Sequence, residues 1–421
     1  MSRFSPFYLV RQRFESHKIS DLPAAVRGQL AASGFAGRLK PGASVALGVG
    51  SRGIANLALI VRTAVEWWKE QGMKPFIFPA MGSHGAATAK GQADVLAKYG
   101  IVESEMGCPV RSRLAVVSLG KTPEGIEAFA DKLALASDGI MLCARVKRHT
   151  DFAGKLESGL FKMMAIGLGK FAGARNYHTH AYNMGLEGVI RSVGRQVLGT
   201  GKILGGLAIV EDGNHDTAMI EAVPVERMEE REGELLELSK SWMPRVPVDE
   251  VDILIVNELG KDISGSGMDT KVINRSVHGA YNPWPEAPVV RRVYLRGISR
   301  LSYGNAVGLG MADMVHPRLL KAMKKKPTYI NSLTSNTLAS MRSPAAFAND
   351  RACLEALWPT VGKFDPLQLG ICWIRNTQDL SLMAMTSNYR EAIEANGNLE
   401  IIGGERELEF DSRNDLVEWL A

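Results

Sequence analysis

The sequence predicts an α/β fold in two domains: a parallel, Rossmann-like sheet first, then a second α/β domain, with the active site in the cleft between them. Three observations carry this reading. Strand-like and helix-like segments alternate through the first half of the chain. The strand-like runs are apolar without a break, as in sheets covered on both faces. Prolines at 244 and 247 then separate a charged helix from a fresh apolar run.

The elements follow in order. "ASVALGVGS" (43–51) reads as a buried strand. In the next segment Ile54, Leu57, Ala58, Val61, Ala64, Val65 and Trp68 share one helical face, and Gly72 supplies a stop. "PFIFPAMG" (75–82) is a second strand, and 88–100 a second helix ending at Gly100. "LAVVSL", "GIMLCARVK" and "ILGGLAIVED" read as further strands, and Val225–Ser241 as a charged helix. Beyond Pro247 come strands in "VDILIVNELG", "VVRRVYLRG", "LQLGICWIRN" and "SLMAMTSN". The domains are therefore placed at 1–247 and 248–421, the last roughly twenty residues expected to pack back on the first.

Composition bounds the function. With 46% hydrophobic and 23% charged residues among 421, the chain reads as globular and cytoplasmic, with no leader and no run long enough to cross a bilayer. The net charge of +5 is dispersed, and Lys324–Lys326 reads as a solvated helix end, so no nucleic acid or membrane partner is expected. Four cysteines without a CxxC pair argue against a disulfide framework.

Gly48, Gly50 and Gly53 are spaced as G-x-G-x-x-G after the first strand. A dinucleotide turn also needs an acid about twenty positions on, and here the second strand ends in Ser83 and His84. With Ser51 and Arg52 inside it, the turn suits a carboxylate or phosphate instead. His84 and His149 each follow a different strand, so they and the arginine turn should meet at one sheet edge as an acid–base site for a small anion. His17, His215, His278 and His316 lack that placement and read as structural. Lys162 lies among Leu160, Phe161, Met163, Met164 and Ile166; it is either a lysine of lowered pKa, and so a nucleophile, or one on the wet face of a short helix. His178-x-His180 leaves a zinc hydrolase open, with His149 or Asp151 completing the site.

Taken in order, these motifs resemble the nickel-pincer lactate racemase family. That family has a Thr-Arg turn, a Gly-Thr-His loop, a histidine before Phe-Ala-Gly, a Ser-Gly…Lys segment and a further histidine. Here stand Ser51-Arg52, Gly82-Ser83-His84, His149 before Phe152-Ala153-Gly154, Ser158-Gly159 with Lys162, and His178, all between about residues 45 and 185. The resemblance implies an isomerase, a racemase or epimerase of a 2-hydroxy acid. It implies a nickel-pincer nucleotide (pyridinium-3-thioamide-5-thiocarboxylic acid mononucleotide) carrying nickel, and the enzymes that build this cofactor as partners. Lys162 would be its tether, with Lys155 as an alternative, and His178 the nickel ligand. His84 and His149 would be the paired acid–base groups, Ser51 and Arg52 would hold the substrate carboxylate, and Lys261 would assist substrate or cofactor. The family has an acid three residues before the arginine; Val49 stands there, implying a different substrate, a reshaped pocket or a binding protein without catalysis.

Overall fold

The computed structural model describes residues 4–50 and 53–420. The chain divides into two compact units, Glu15–Met243 and a second made of Met1–Phe14 with Pro244–Ala421. No helix among the described residues is long and apolar enough to cross a membrane.

The N-terminal strand β1 (Phe7–Gln12) belongs to the second unit. The first unit is built on β2 (Ser44–Val49), β3 (Lys74–Pro79), a hairpin of β4 (Val116–Lys121) and β5 (Glu127–Asp131), then β6 (Gly139–Arg145), β7 (Ile203–Glu211) and β8 (Thr217–Pro224). Its main sheet runs β3-β2-β6-β7-β8, parallel from β3 to β7, with β8 antiparallel at the edge. The apolar runs are explained by two covered faces. Ala46, Ile140, Leu142, Ala144, Ala208 and Val210 lie in one buried cluster, while Val45, Leu47, Val49, Met141, Cys143, Leu207 and Ile209 lie in another. The second cluster is closed by Val26 and Leu30 of the Leu22–Ala32 helix and by Ile60, Val61, Ala64 and Trp68 of the Leu57–Glu70 helix. The first is closed by Val189, Ile190, Val193 and Val197 of the Leu186–Leu198 helix and by Leu235 and Leu236 of the Met228–Trp242 helix. Gly205 has no alternative at its place, since a Cβ there would lie 2.0 Å from the Phe35 ring.

The "LAVVSL" run forms a strand outside the parallel sheet. As β4 it pairs only with β5, around the Thr122–Gly125 turn, and Val117 is exposed.

The second unit holds β9 (Glu250–Val256), β10 (Val289–Leu295), β11 (Met314–Val315), β12 (Ile371–Ile374), β13 (Leu382–Thr386) and β14 (Leu399–Arg406). Its sheet order is β11-β10-β9-β12-β13-β1-β14, parallel from β11 to β12 and antiparallel beyond. Because β1 fills the slot between β13 and β14, the segment before Glu15 does not group with 15–243, unlike the 1–247 division read from the sequence. The C-terminal segment packs on this same unit: Trp419 meets Phe7 edge-on at 6.0 Å and Trp373 at 5.3 Å.

That segment is locked by one buried ion pair. Arg296 donates to Asp350 through Nε at 3.0 Å and Nη2 at 2.9 Å, the two side chains being 1% and 0% exposed. Tyr294 and the Leu416 amide donate to the same carboxylate, and Arg296 also holds the Leu416 carbonyl and Glu418. Removing one partner of such a pair strands a buried charge. Arg296→Ala is therefore expected to lower the free energy of urea unfolding by about 3–5 kcal/mol; a loss under about 1 kcal/mol would contradict the assignment.

Candidate active site

Parallel pairing places the carboxyl ends of β2, β3, β6 and β7 on one edge of the first unit's sheet. β2 ends at Val49, and Ser51 and Arg52 lie outside the described residues. Where the described chain resumes, Gly53 and Ala55 are stitched to their neighbours. The Gly53 amide donates to the Tyr99 hydroxyl at 3.0 Å, and the Gly53 carbonyl accepts from Arg145 Nη1 at 2.9 Å. Arg145, at the end of β6, pairs with Glu211 at the end of β7, and Glu211 accepts the Ala55 amide at 2.8 Å. Val49, where the resembled family has an acid, is fully buried with Ile54, Leu57 and Ile77, so packing occupies that position.

β3 ends at Pro79, and the chain passes through Gly82 and an exposed Ser83 to a half-buried His84. Ala86 and Ala87, just beyond, have φ of 55° and 54°. Such angles cost an L-residue energy and persist where surroundings impose them. Gly85 between them and His84 is obligatory, since a Cβ would lie 2.2 Å from the backbone of Gly91.

β6 ends four residues before His149. The loop is closed by paired backbone bonds between Lys147 and Ser158, 2.9 and 3.1 Å. Within it the buried Glu157 accepts the His149 and Gly154 amides and pairs with Lys240 Nζ at 3.1 Å. His149 Nδ1 accepts the Asp151 amide at 3.0 Å, and its ring stacks on Phe152 with centroids 4.4 Å apart. A neutral ring that accepts at Nδ1 carries its proton on Nε2.

Ser158-Gly159 opens a composite helix: one turn at Leu160–Lys162, a wide turn at Met163–Gly167, then Leu168–Met184. Its first amides are capped from outside, Glu232 of the Met228–Trp242 helix accepting the Phe161 amide at 2.9 Å. Burial pushes the Glu232 carboxyl up to about 7. Lys162, half-buried, donates to Ser158 Oγ at 3.4 Å, whereas Lys155 is exposed. The His178 imidazole is held below its ordinary range, first by burial and then by the positive charge of Lys162. Lys162 and His178 thus lie within electrostatic reach of each other. His178 and His180 are two residues apart on a helix, about 200° around its axis, so they do not face one ion together.

Lys261 lies in the second unit, beyond the end of β9; its amide donates to Ser302 Oγ at 3.1 Å and its Nζ to the Gly265 carbonyl. His316, Asp350 and Asp415 come within 4.8 Å of one another there. Their atoms are spent on each other and on Arg296, Tyr294 and backbone amides, which makes the group a structural network.

Sequence reasoning missed the buried charges that hold these loops, Glu157, Glu232, Lys170 and Asp131, and the half-buried Lys240 that pairs with Glu157. Lys170 carried the same signal as Lys162, a lysine inside an apolar segment.

No protein-family model matches the sequence, and no curated protein matches it. Solved structures are similar, and two of them illustrate the likeness. One is a crystal structure of a Thermotoga maritima protein, with a TM-score of 0.49 at 14% identity, covering 67% of this chain and 71% of that one. The other is the lactate racemase apoprotein from Thermoanaerobacterium thermosaccharolyticum, with a TM-score of 0.48 at 14% identity, covering 91% of each chain.

The Glu232 cap yields a signed pH dependence. A carboxyl raised from 4.5 to about 7 keeps a proton in the folded chain that the unfolded chain has lost. Its stability contribution is whole below pH 4.5 and falls away as pH rises through about 7, a swing of up to about 3 kcal/mol. Glu232→Gln should flatten the unfolding free energy over that window in urea titrations. An unchanged slope would contradict the burial argument.

Proposed function

We propose that the protein is a racemase or epimerase of a 2-hydroxy acid that carries a nickel-pincer nucleotide on Lys162. The observation that carries the proposal is that a half-buried amine, Lys162, and a half-buried imidazole, His178, lie on one composite helix, with the Lys162 charge adding to burial in favouring the neutral imidazole. At the strand ends of the same unit stand the loops of His84 and His149.

The residues fit such a group on chemical grounds. A lysine amine forms an amide-type bond to a carboxyl or thiocarboxyl carbon, and Lys162 is a half-buried amine of this region. A metal takes the neutral imidazole, the form that burial and Lys162 favour at His178. When bound, the group supplies a reversible acceptor for the hydrogen of carbon 2 together with its electron pair.

The protein's own residues do the rest. The substrate carboxylate is held by Ser51 and Arg52. One imidazole of His84 and His149 takes the proton from the hydroxyl oxygen. Carbon 2 then becomes planar, and inversion requires the proton to be supplied again for the product of opposite hand. A second imidazole meets that need. With Nδ1 occupied by the Asp151 amide, His149 exchanges its proton through Nε2. Val49, packed in the core where the resembled family has an acid, offers the substrate no charged group, which points to a 2-hydroxy acid other than lactate.

Two measurements test this reading. Protein produced together with enzymes that build the cofactor should carry nickel and a mass increment on the Lys162 peptide, lost in Lys162→Ala. An unmodified Lys162 peptide under those conditions contradicts it. In the loaded enzyme, His84→Ala and His149→Ala should each slow interconversion of enantiomers, read by chiral chromatography, by about 100-fold or more. Full activity in either variant removes that histidine from the acid–base pair.

A further inference from the structure

Lys170 is the least expected residue of the first unit. It is fully buried, has φ 54° and ψ −157°, and interrupts the helix between Lys162 and His178. Its Nζ lies 3.1 Å from Asp131 Oδ2, in a pair 0% and 1% exposed, and donates to the Pro79 carbonyl at the end of β3. Gln92, also fully buried, accepts from Lys170 at 3.5 Å and donates through Nε2 to the Met81 and Gly82 carbonyls, both at 3.0 Å. Three carbonyls between Pro79 and Gly82 are therefore gripped by one buried Lys–Gln pair. Asp131 is itself fixed, its Oδ1 accepting the Leu133 and Ala134 amides at 2.8 and 3.0 Å.

The grip holds the strand end directly against the helix. A Cβ on Gly82 would lie 2.8 Å from Ile166 Cγ2 and 3.2 Å from Ala174 Cβ, and one on Gly167 would lie 2.8 Å from the Ala80 carbonyl. Ile166 is four residues from Lys162, and Ala174 is four residues from His178. A slip of the Pro79–Gly82 segment would thus change where His84 stands relative to both. Burying a charge pair and a left-handed lysine is a costly way to stabilise a core, for which apolar residues would serve as well.

We infer that Lys170, Gln92 and Asp131 are positioning residues that set the His84 loop against the helix bearing Lys162 and His178, an inference that rests on the functional reading above. None of the three touches the reacting atoms. Their part is to fix one histidine at a constant distance from the amine and imidazole of the composite helix.

Gln92→Leu removes both donors while keeping the bulk, and Lys170→Met with Asp131→Asn removes both charges together. Each variant is first checked for folding by circular dichroism, and whichever folds is read. Without cofactor, the probe is diethyl pyrocarbonate, with modification of His84 and His180 followed by peptide mass. His84 should react about fivefold faster than in the parent, with His180 unchanged. In the loaded enzyme, kcat should fall by about 10- to 100-fold while KM stays within about twofold. An unchanged His84 rate in a folded variant overturns the inference, as does a loss confined to thermal stability. If the parent itself proves inactive on 2-hydroxy acids, the functional reading fails, and the His84 rate alone still decides the clamp.

Discussion

Parallel backbone pairing of β2 with β3 on one side and β6 on the other is the constraint on which the candidate site depends. Strands that run the same way must end on the same edge, so the segment after Val49, the His84 loop and the His149 loop leave the sheet together. The register is enforced by burial on both faces: a slip by one residue would exchange Ala46 with Val45 or Leu47 and spoil two packed clusters at once. The candidate site is thus borne by a sheet packed on both faces.

The loops are then trimmed by buried charges. Glu157 draws in the His149 and Gly154 amides and is answered by Lys240, while Glu232, two turns earlier on the same helix, caps the helix that starts before Lys162. One strut, Met228–Trp242, therefore serves both the His149 loop and the Lys162 helix. Lys170 does similar work for the strand end that leads to His84. Buried ionic groups are poor sources of stability but good at permitting a single arrangement, and these are clustered under the proposed acid–base and cofactor groups.

Much of the first unit's sheet was legible because a strand covered on both faces must be continuously apolar, as in "VALGV" and "IMLCA". The strand-end rule located His84 and His149 on loops after β3 and β6 for the same reason. What pairs over long distance was not legible. β1 finds β13 and β14 from the opposite end of the chain, and nothing in "FYLVRQ" names those partners. The hairpin of β4 and β5 looked like one more parallel strand because a short apolar run has no direction written in it. Buried Glu157, Glu232 and Gln92 were invisible, since a polar residue in sequence carries no sign of the amides it will meet. His178 became meaningful only through the order of motifs around Lys162, and the structure adds the electrostatic link between the two.

In the proposed reaction carbon 2 gives up its hydrogen with the electron pair and receives it back, so the hydrogen never becomes a solvent proton. Mass spectrometry of a 2-hydroxy acid labelled with deuterium at carbon 2, inverted by the loaded enzyme in ordinary water, measures this directly. The expected result is product of opposite configuration that keeps its deuterium. Washout of the label in step with inversion would mean that a base removes a proton from carbon, and the account given for His84, His149 and the Lys162 helix would be wrong.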